Sequence, residues 1–114
     1  PVVCIVGDGA AMYSPQALWT AAHERLPVTF VVINNAEYNI LKQFMKSQTH
    51  YASVRANRFI AMDLTEPRLD FLALAASMGV PSRRIERAED IAGAVEAGIR
   101  SGEPNLVEVV VSAV

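Results

Sequence analysis

Two short polar breaks in a largely apolar chain hold the residues best suited to chemistry. The first, Gly7-Asp8-Gly9, ends the run Val2 to Val6; the second, Asn34-Asn35, ends the run Val28 to Ile33. An aspartate carboxylate and an asparagine amide oxygen are hard ligands suited to Mg²⁺, which keeps some of its water and takes further ligands from a substrate phosphate. Gly7 and Gly9 let a ligand approach the backbone closely. The amides of Gly9, Ala10 and Ala11 point outward before a helix N-terminus, a place suited to phosphate oxygens. No Lys or Arg lies between Val2 and Glu24. A diphosphate bound here therefore needs a metal to neutralise most of it, which agrees with Asp8 as a ligand rather than a cap. Either break alone reads as an ordinary turn. Together, at two strand ends separated by one helix, they are more specific.

The elements that must position these residues follow from the pattern around them. Val2 to Val6 is a buried strand, and Ser14-Pro15 supplies a helix N-cap followed by proline at the first helical position. Ala17, Leu18, Ala21 and Ala22 recur at helical spacing until Pro27, and Val28 to Ile33 is a second strand. A helix covers Tyr38 to about Ser47. Residues 47–69 are polar and irregular, long for a loop in a compact domain, and so functional or mobile. Asp70 caps a helix that carries Phe71, Leu72, Leu74, Ala75 and Met78 and closes at Gly79. Val80 to Ile85 is a weak strand, Ala88-Glu89-Asp90 opens a helix through Ile99, and Leu106 to Val111 is a last strand. Continuous apolar strands alternating with helices predict an α/β fold, a three-layer doubly wound parallel sheet covered on both faces. In such sheets ligands bind beyond the carboxyl ends of strands. Neighbouring strands are only about 4.8 Å apart, so Asp8 and an asparagine can meet around one small ligand.

Composition narrows the classes. The 114 residues are 52% hydrophobic and 19% charged, with 12 acidic and 10 basic side chains. That suits one domain, residues 1–114, with a real core, and excludes a disordered chain. The basic residues are balanced by acids, so no electrostatic footprint for nucleic acid is present. No apolar run approaches the length of a membrane span, and Pro1-Val2-Val3 has no basic start of a signal peptide; no membrane partner and a cytoplasmic location are expected. One cysteine cannot form an internal disulfide or build a zinc site. The chain starts at Pro1 and runs directly into a strand, which reads as an N-terminally truncated piece of something longer.

Gly7-Asp8-Gly9, then the 24 residues Ala10 to Ile33, then Asn34-Asn35, resembles the signature of thiamine diphosphate-dependent enzymes. The run GDGAAMYSPQALWTAAHERLPVTFVVINNAEYNILKQF resembles benzoylformate decarboxylase and its acetolactate synthase-like relatives, as does the tail LDFLALAASMGV and PNLVEVVV. The resemblance covers nearly the whole chain and loosens between Met45 and Pro67. It implies a C-terminal domain with the thiamine diphosphate-binding fold, carrying Mg²⁺ and the cofactor's diphosphate. Asp8 matches the metal-ligating carboxylate, Asn35 the metal-ligating amide, and Glu37 the position whose backbone carbonyl completes the protein ligands. Gly9, Ala10 and Ala11 match the diphosphate-cradling backbone, Asn34 braces the turn, and Tyr38 stands beside the cofactor. Leu41 and Phe44 match positions lining the substrate pocket. Ala10 replaces the hydroxyl residue often found after GDG, and Asn39-Ile40 replaces a small pair, which leaves the substrate open.

The activity so implied is decarboxylation of a 2-oxo acid, with acetolactate synthase-like carboligation as the alternative. A pyrimidine-binding domain, usually on a neighbouring subunit of a homo-oligomer (dimer or tetramer), would supply the acid–base carboxylate. No catalytic residue is assigned within this chain, which by itself is expected to be inactive. A more distant reading, a receiver-like module with Asp8 as phospho-acceptor, lacks the adjacent acidic pair and strand-end lysine that it requires. Among the remaining residues, Cys4, Trp19 and the methionines read as packing, and His23 as a complement to its helix dipole. His50 and Tyr51 read as a solvated loop or a lid near the substrate, and Arg83, Arg84 and Arg87 as a solvated face.

Overall fold

Three largely apolar stretches, rich in β-branched residues that suit a pleated surface, and the polar segment Ser82-Arg83-Arg84-Ile85 form one parallel sheet in the computed structural model, which describes residues 1–112. The strands are β1 (Val2–Gly7), β2 (Val28–Asn34), β3 (Ser82–Ile85) and β4 (Asn105–Val110), in the order β1-β2-β4-β3. The helices are α1 (Asp8–Ala11), α2 (Ala17–His23), α3 (Asn39–Lys46), α4 (Ala52–Arg55), α5 (Phe71–Ser77) and α6 (Ala88–Ser101). Register pairs Gly7 with Ile33 and Asn34 with Val110. The carboxyl ends of β1 and β2 therefore lie side by side, as the sequence predicts.

Alternate residues of the central strands β2 and β4 face opposite helices, giving the three expected layers. β1, expected to be buried, is an edge strand whose Val3 and Ile5 are exposed, because no helix among the described residues covers that face of it. On one face α2 and α5 cover the sheet through Leu18, Phe71 and Ala75, packed with Val32 and Leu106. On the other, Ala94 of α6, with Ile91 and Val95 beside it, packs on Val31, Ile85, Val107 and Val109. Cys4 is half-buried. Trp19 is not core: the residue is more than half exposed, and its ring stacks on His23, with centroids 4.7 Å apart and planes 9° from parallel. No helix among the described residues is long and apolar enough to cross a membrane.

Local chemistry fixes the ends. Asp70 caps α5 by accepting the Ala73 amide at 2.9 Å. At the other end Val80 N–H returns to Ala75 O and Gly79 N–H to Ala76 O, a closure that sets Gly79 at φ +76°, where glycine carries no penalty. This also shortens the strand expected from Val80. With the Val80 amide spent on the helix and none on Pro81, ladder pairing starts at Ser82. Ser14 is not an N-cap. The Ser14 and Pro15 carbonyls accept the Ala17 and Leu18 amides at 3.1 Å, so this stretch is a turn and α2 starts only at Ala17. Residues 47–69 contain α4 and fold back beside the second polar break, where Tyr38 N–H donates to Met62 O and Leu64 N–H to Ala36 O, both at 2.8 Å.

Candidate functional site

The site grows from the two strand ends. β1 stops at Gly7, and Asp8 opens the single turn of α1 with its side chain buried against the end of β2. One carboxylate oxygen accepts the Gly9 amide at 2.9 Å, and the other crosses to accept the Ala36 amide at 2.8 Å. Asp8 thus staples one strand-end turn to the other. On the β2 side Asn35 Oδ1 accepts the Glu37 amide at 3.2 Å, and Asn34 Oδ1 shares the Ala36 amide at 3.0 Å. Both are Asx turns, the local alternative that asparagine offers to a continuing strand. They carry Ala36 into the left-handed region at φ +59°, which is unusual for a residue with a Cβ.

Beyond the staple lies an open cleft of about 560 Å³ whose lining includes Gly7, Asp8, Gly9, Asn35, Glu37 and Tyr38. Ala10 and Leu41 line it as well, so most of the expected site residues meet in one place. Three do not. Ala11 turns toward the core between α2 and the sheet, Asn34 faces a second, smaller cavity behind the turn, and Phe44, one turn beyond Leu41, is exposed outside the cleft. His50 and Tyr51 touch each other edge to face and stand apart from the cleft lining.

The two glycines of the first break have different duties. A Cβ on Gly9 would lie 2.4 Å from Tyr38 Cε1, so the tyrosine ring occupies the space a side chain would need. A Cβ on Gly7 would meet nothing within 4 Å, so the open approach to the backbone is at Gly7.

The electrostatics of the cleft are simple. Among the described residues its lining contains two carboxylates, Asp8 and Glu37, and no lysine or arginine. Lys42, on the next turn of α3, is tied to Asp63 and Glu37. Those two carboxylates, Asp63 most, hold its ammonium above the usual lysine range. Among the described residues no group of three or more His, Cys, Asp or Glu could hold a metal. A metal at the strand ends would rest on one charged ligand, Asp8, with neutral oxygens from Asn35 and the Glu37 backbone. An all-oxygen, low-charge donor set fits Mg²⁺ that completes its shell with phosphate and water, and does not fit a softer metal.

Sequence reasoning missed what lies behind the turn. Glu108, inside β4, is 1% exposed. Its oxygens accept Asn34 Nδ2–H and Arg84 Nε–H, each at 2.7 Å. Arg84 is therefore not simply a solvated residue, and the carboxylate beside it raises the guanidinium pKa further. The available signal was a single glutamate within an apolar strand, since an isolated buried carboxylate is rarely left without partners.

Residues 1–109 match the family described as thiamine pyrophosphate enzyme, C-terminal TPP binding domain. The chain is 37% identical over 111 residues to IlvX of Mycobacterium tuberculosis strain H37Rv, named as a putative acetolactate synthase large subunit; the match covers 97% of this chain and 22% of that protein. It is 35% identical over 108 residues to benzoylformate decarboxylase of Pseudomonas aeruginosa, covering 95% and 19%. In structure it is similar to benzoylformate decarboxylase from Polynucleobacter necessarius, with a TM-score of 0.87 and 28% identity over 100% of this chain and 20% of that one. The chain thus spans about a fifth of the length of these relatives.

Proposed function

Because the chain belongs to the thiamine pyrophosphate enzymes, as their C-terminal TPP-binding domain, we propose that it holds the diphosphate of thiamine diphosphate through Mg²⁺ in a 2-oxo acid decarboxylase of the benzoylformate decarboxylase type. The observation that carries this reading is the carboxylate of Asp8, buried at two adjacent strand ends beside a cleft whose described lining has no cationic side chain. A multiply charged anionic ligand there calls for a metal to neutralise it.

In this reading Asp8, the Asn35 amide oxygen and the Glu37 carbonyl hold the metal. Gly7 leaves the backbone open to the diphosphate, with the Ala10 amide close by, the Gly9 amide spent on Asp8, and Ala11 supporting the turn from the core side. Asn34 braces the second turn, Tyr38 forms a wall beside the cofactor, and Leu41 forms part of the substrate pocket, with Phe44 extending that surface along α3. When bound, thiamine diphosphate supplies the carbon nucleophile and the electron sink that decarboxylation of a 2-oxo acid requires. The chain's own residues bind and orient. Asp8 meets the metal, and its two backbone hydrogen bonds fix both oxygens so that little reorganisation accompanies binding. The acid–base carboxylate belongs, in this reading, to a pyrimidine-binding domain of a neighbouring subunit in a homo-oligomer. The 114-residue chain alone is expected to turn over no 2-oxo acid.

Similarity to IlvX favours a second reading, carboligation of the acetolactate synthase type, on the same binding chemistry. Product analysis of the whole enzyme fed benzoylformate and pyruvate separates the two: an aldehyde with CO₂ marks the decarboxylase, an acetohydroxy acid the carboligase. The binding reading is tested by calorimetric titration with thiamine diphosphate and Mg²⁺. Asp8→Ala should weaken Mg²⁺-dependent retention by at least the order of a hundredfold that losses around a metal site reach. Unchanged affinity refutes the assignment.

A further inference from the structure

The charged network behind the cleft is separate from the apolar cores on the two faces of the sheet. It does join the middle of β4 to the turn that carries Asn35. Arg84 Nε–H and Asn34 Nδ2–H both donate to Glu108, Asn34 Oδ1 accepts the Ala36 amide, and that amide also donates to Asp8. We infer that Glu108 is a positioning residue for the ligand-binding turn: through Asn34 it orients the Ala36 amide, and with it the Asp8 oxygen that accepts that amide. This inference rests on the binding role proposed above for Asp8 and Asn35.

Donor and acceptor chemistry sets the direction of every bond in this chain of contacts. An ionised carboxylate can only accept hydrogen bonds. Glu108 therefore compels Asn34 to present its NH₂ inward and its carbonyl toward Ala36. Were the amide reversed, its NH₂ would oppose the Ala36 N–H, and its carbonyl would oppose the buried carboxylate. Ala36 is held at φ +59°, a conformation that needs outside support. That support comes from Asp8 in front and from Asn34, set by Glu108, behind. Glu108 is opposite Arg84 in the strand register and two residue pairs short of Asn34, on the same face of the sheet. This register puts the three side chains on one face, where they meet across three strands.

The experiment is a polarity swap in the whole enzyme, read by titrating Mg²⁺ at fixed thiamine diphosphate and by hydrogen exchange of the 34–38 peptide in the cofactor-free protein. Asn34→Asp sets two carboxylates against each other, and Glu108→Gln leaves one acceptor oxygen to serve both Asn34 and Arg84. Each single variant should raise half-saturating Mg²⁺ by roughly tenfold or more, within the range of losses around metal ligands, and should speed exchange at the turn. The double variant Asn34→Asp/Glu108→Gln reverses the bond. The introduced glutamine would accept from Arg84 and donate to the introduced aspartate, whose second oxygen still takes the Ala36 amide. This variant should return to within about threefold of the wild-type value, again judged against the tenfold scale of such losses. A single variant that fails to fold while the double variant folds and binds supports the proposal equally. A double variant no better than the singles, or one that does not fold, overturns it. So do single variants with wild-type Mg²⁺ dependence and turn exchange. Failure of the wild-type enzyme to bind thiamine diphosphate with Mg²⁺ would refute instead the binding role of the site.

Discussion

Replacing Gly9 by alanine puts a methyl carbon 2.4 Å from Tyr38 Cε1, 2.9 Å from Cδ1 and 3.2 Å from Cζ. The first two distances are inside any real carbon–carbon contact, so the ring must move. Tyr38 is anchored through its backbone N–H to Met62 O at 2.8 Å, which leaves rotation of the side chain into the cleft as the main relief. Overpacking of this kind costs about 1–3 kcal/mol. Gly7→Ala is the matched control. Its Cβ meets nothing within 4 Å, and its φ of −74° and ψ of 158° suit any residue. That variant should fold as stably as the wild type, or gain about 0.4–1 kcal/mol by restricting the unfolded chain. If the diphosphate approaches at Gly7 as proposed, the variant should nevertheless weaken thiamine diphosphate binding, because the added methyl would intrude there. Urea denaturation of Gly9→Ala in the wild-type and Tyr38→Ala backgrounds closes a double-mutant cycle. The cost of the alanine should fall below about 0.5 kcal/mol once the ring is gone. Wild-type stability of Gly9→Ala, or the same loss in both backgrounds, would show that Tyr38 does not set the requirement for glycine.

Two further outcomes concern the turn and its fastening. Ala36→Gly removes the left-handed penalty of roughly 1–2 kcal/mol and adds unfolded-chain entropy, so thermal unfolding should shift little or upward; Ala36→Val should cost at least about 1–3 kcal/mol and open the turn. Lys42 is charged in the fold and its pKa is raised, chiefly by the hydrogen bond to Asp63 and then by that to Glu37. A raised pKa contributes stability that is fully present below the unfolded lysine value and lost as pH climbs through the folded one. The fastening of residues 57–65 should therefore loosen only above about pH 10.4, seen as faster limited proteolysis, and Lys42→Met should abolish that alkaline step.

Much of this molecule is legible in one sequence, for identifiable reasons. Apolar runs ended by Gly-Asp-Gly and Asn-Asn, with a helix between them, suffice to place two polar turns at one edge of a parallel sheet, because a crossover returns the chain in the same direction. The cap at Asp70 and the closure at Gly79 are local and so equally readable. The strand at Val80 reads two residues too long, since the hydrogen bond that takes its amide belongs to the preceding helix.

What the chain alone determined, then, is the layered fold and the pairing of Asp8 with the Asn34-Asn35 turn, both consequences of period and local chemistry. Only the tertiary structure decided who stands behind that turn. Asn34 and Glu108 are 74 residues apart and meet because β4 inserts between β2 and β3. Strands buried on both faces read as unbroken apolar runs, which carry no mark of strand order or of the face on which a lone glutamate will sit. The same holds for Tyr38 over Gly9, where a missing Cβ gains its meaning from a ring delivered by another strand end.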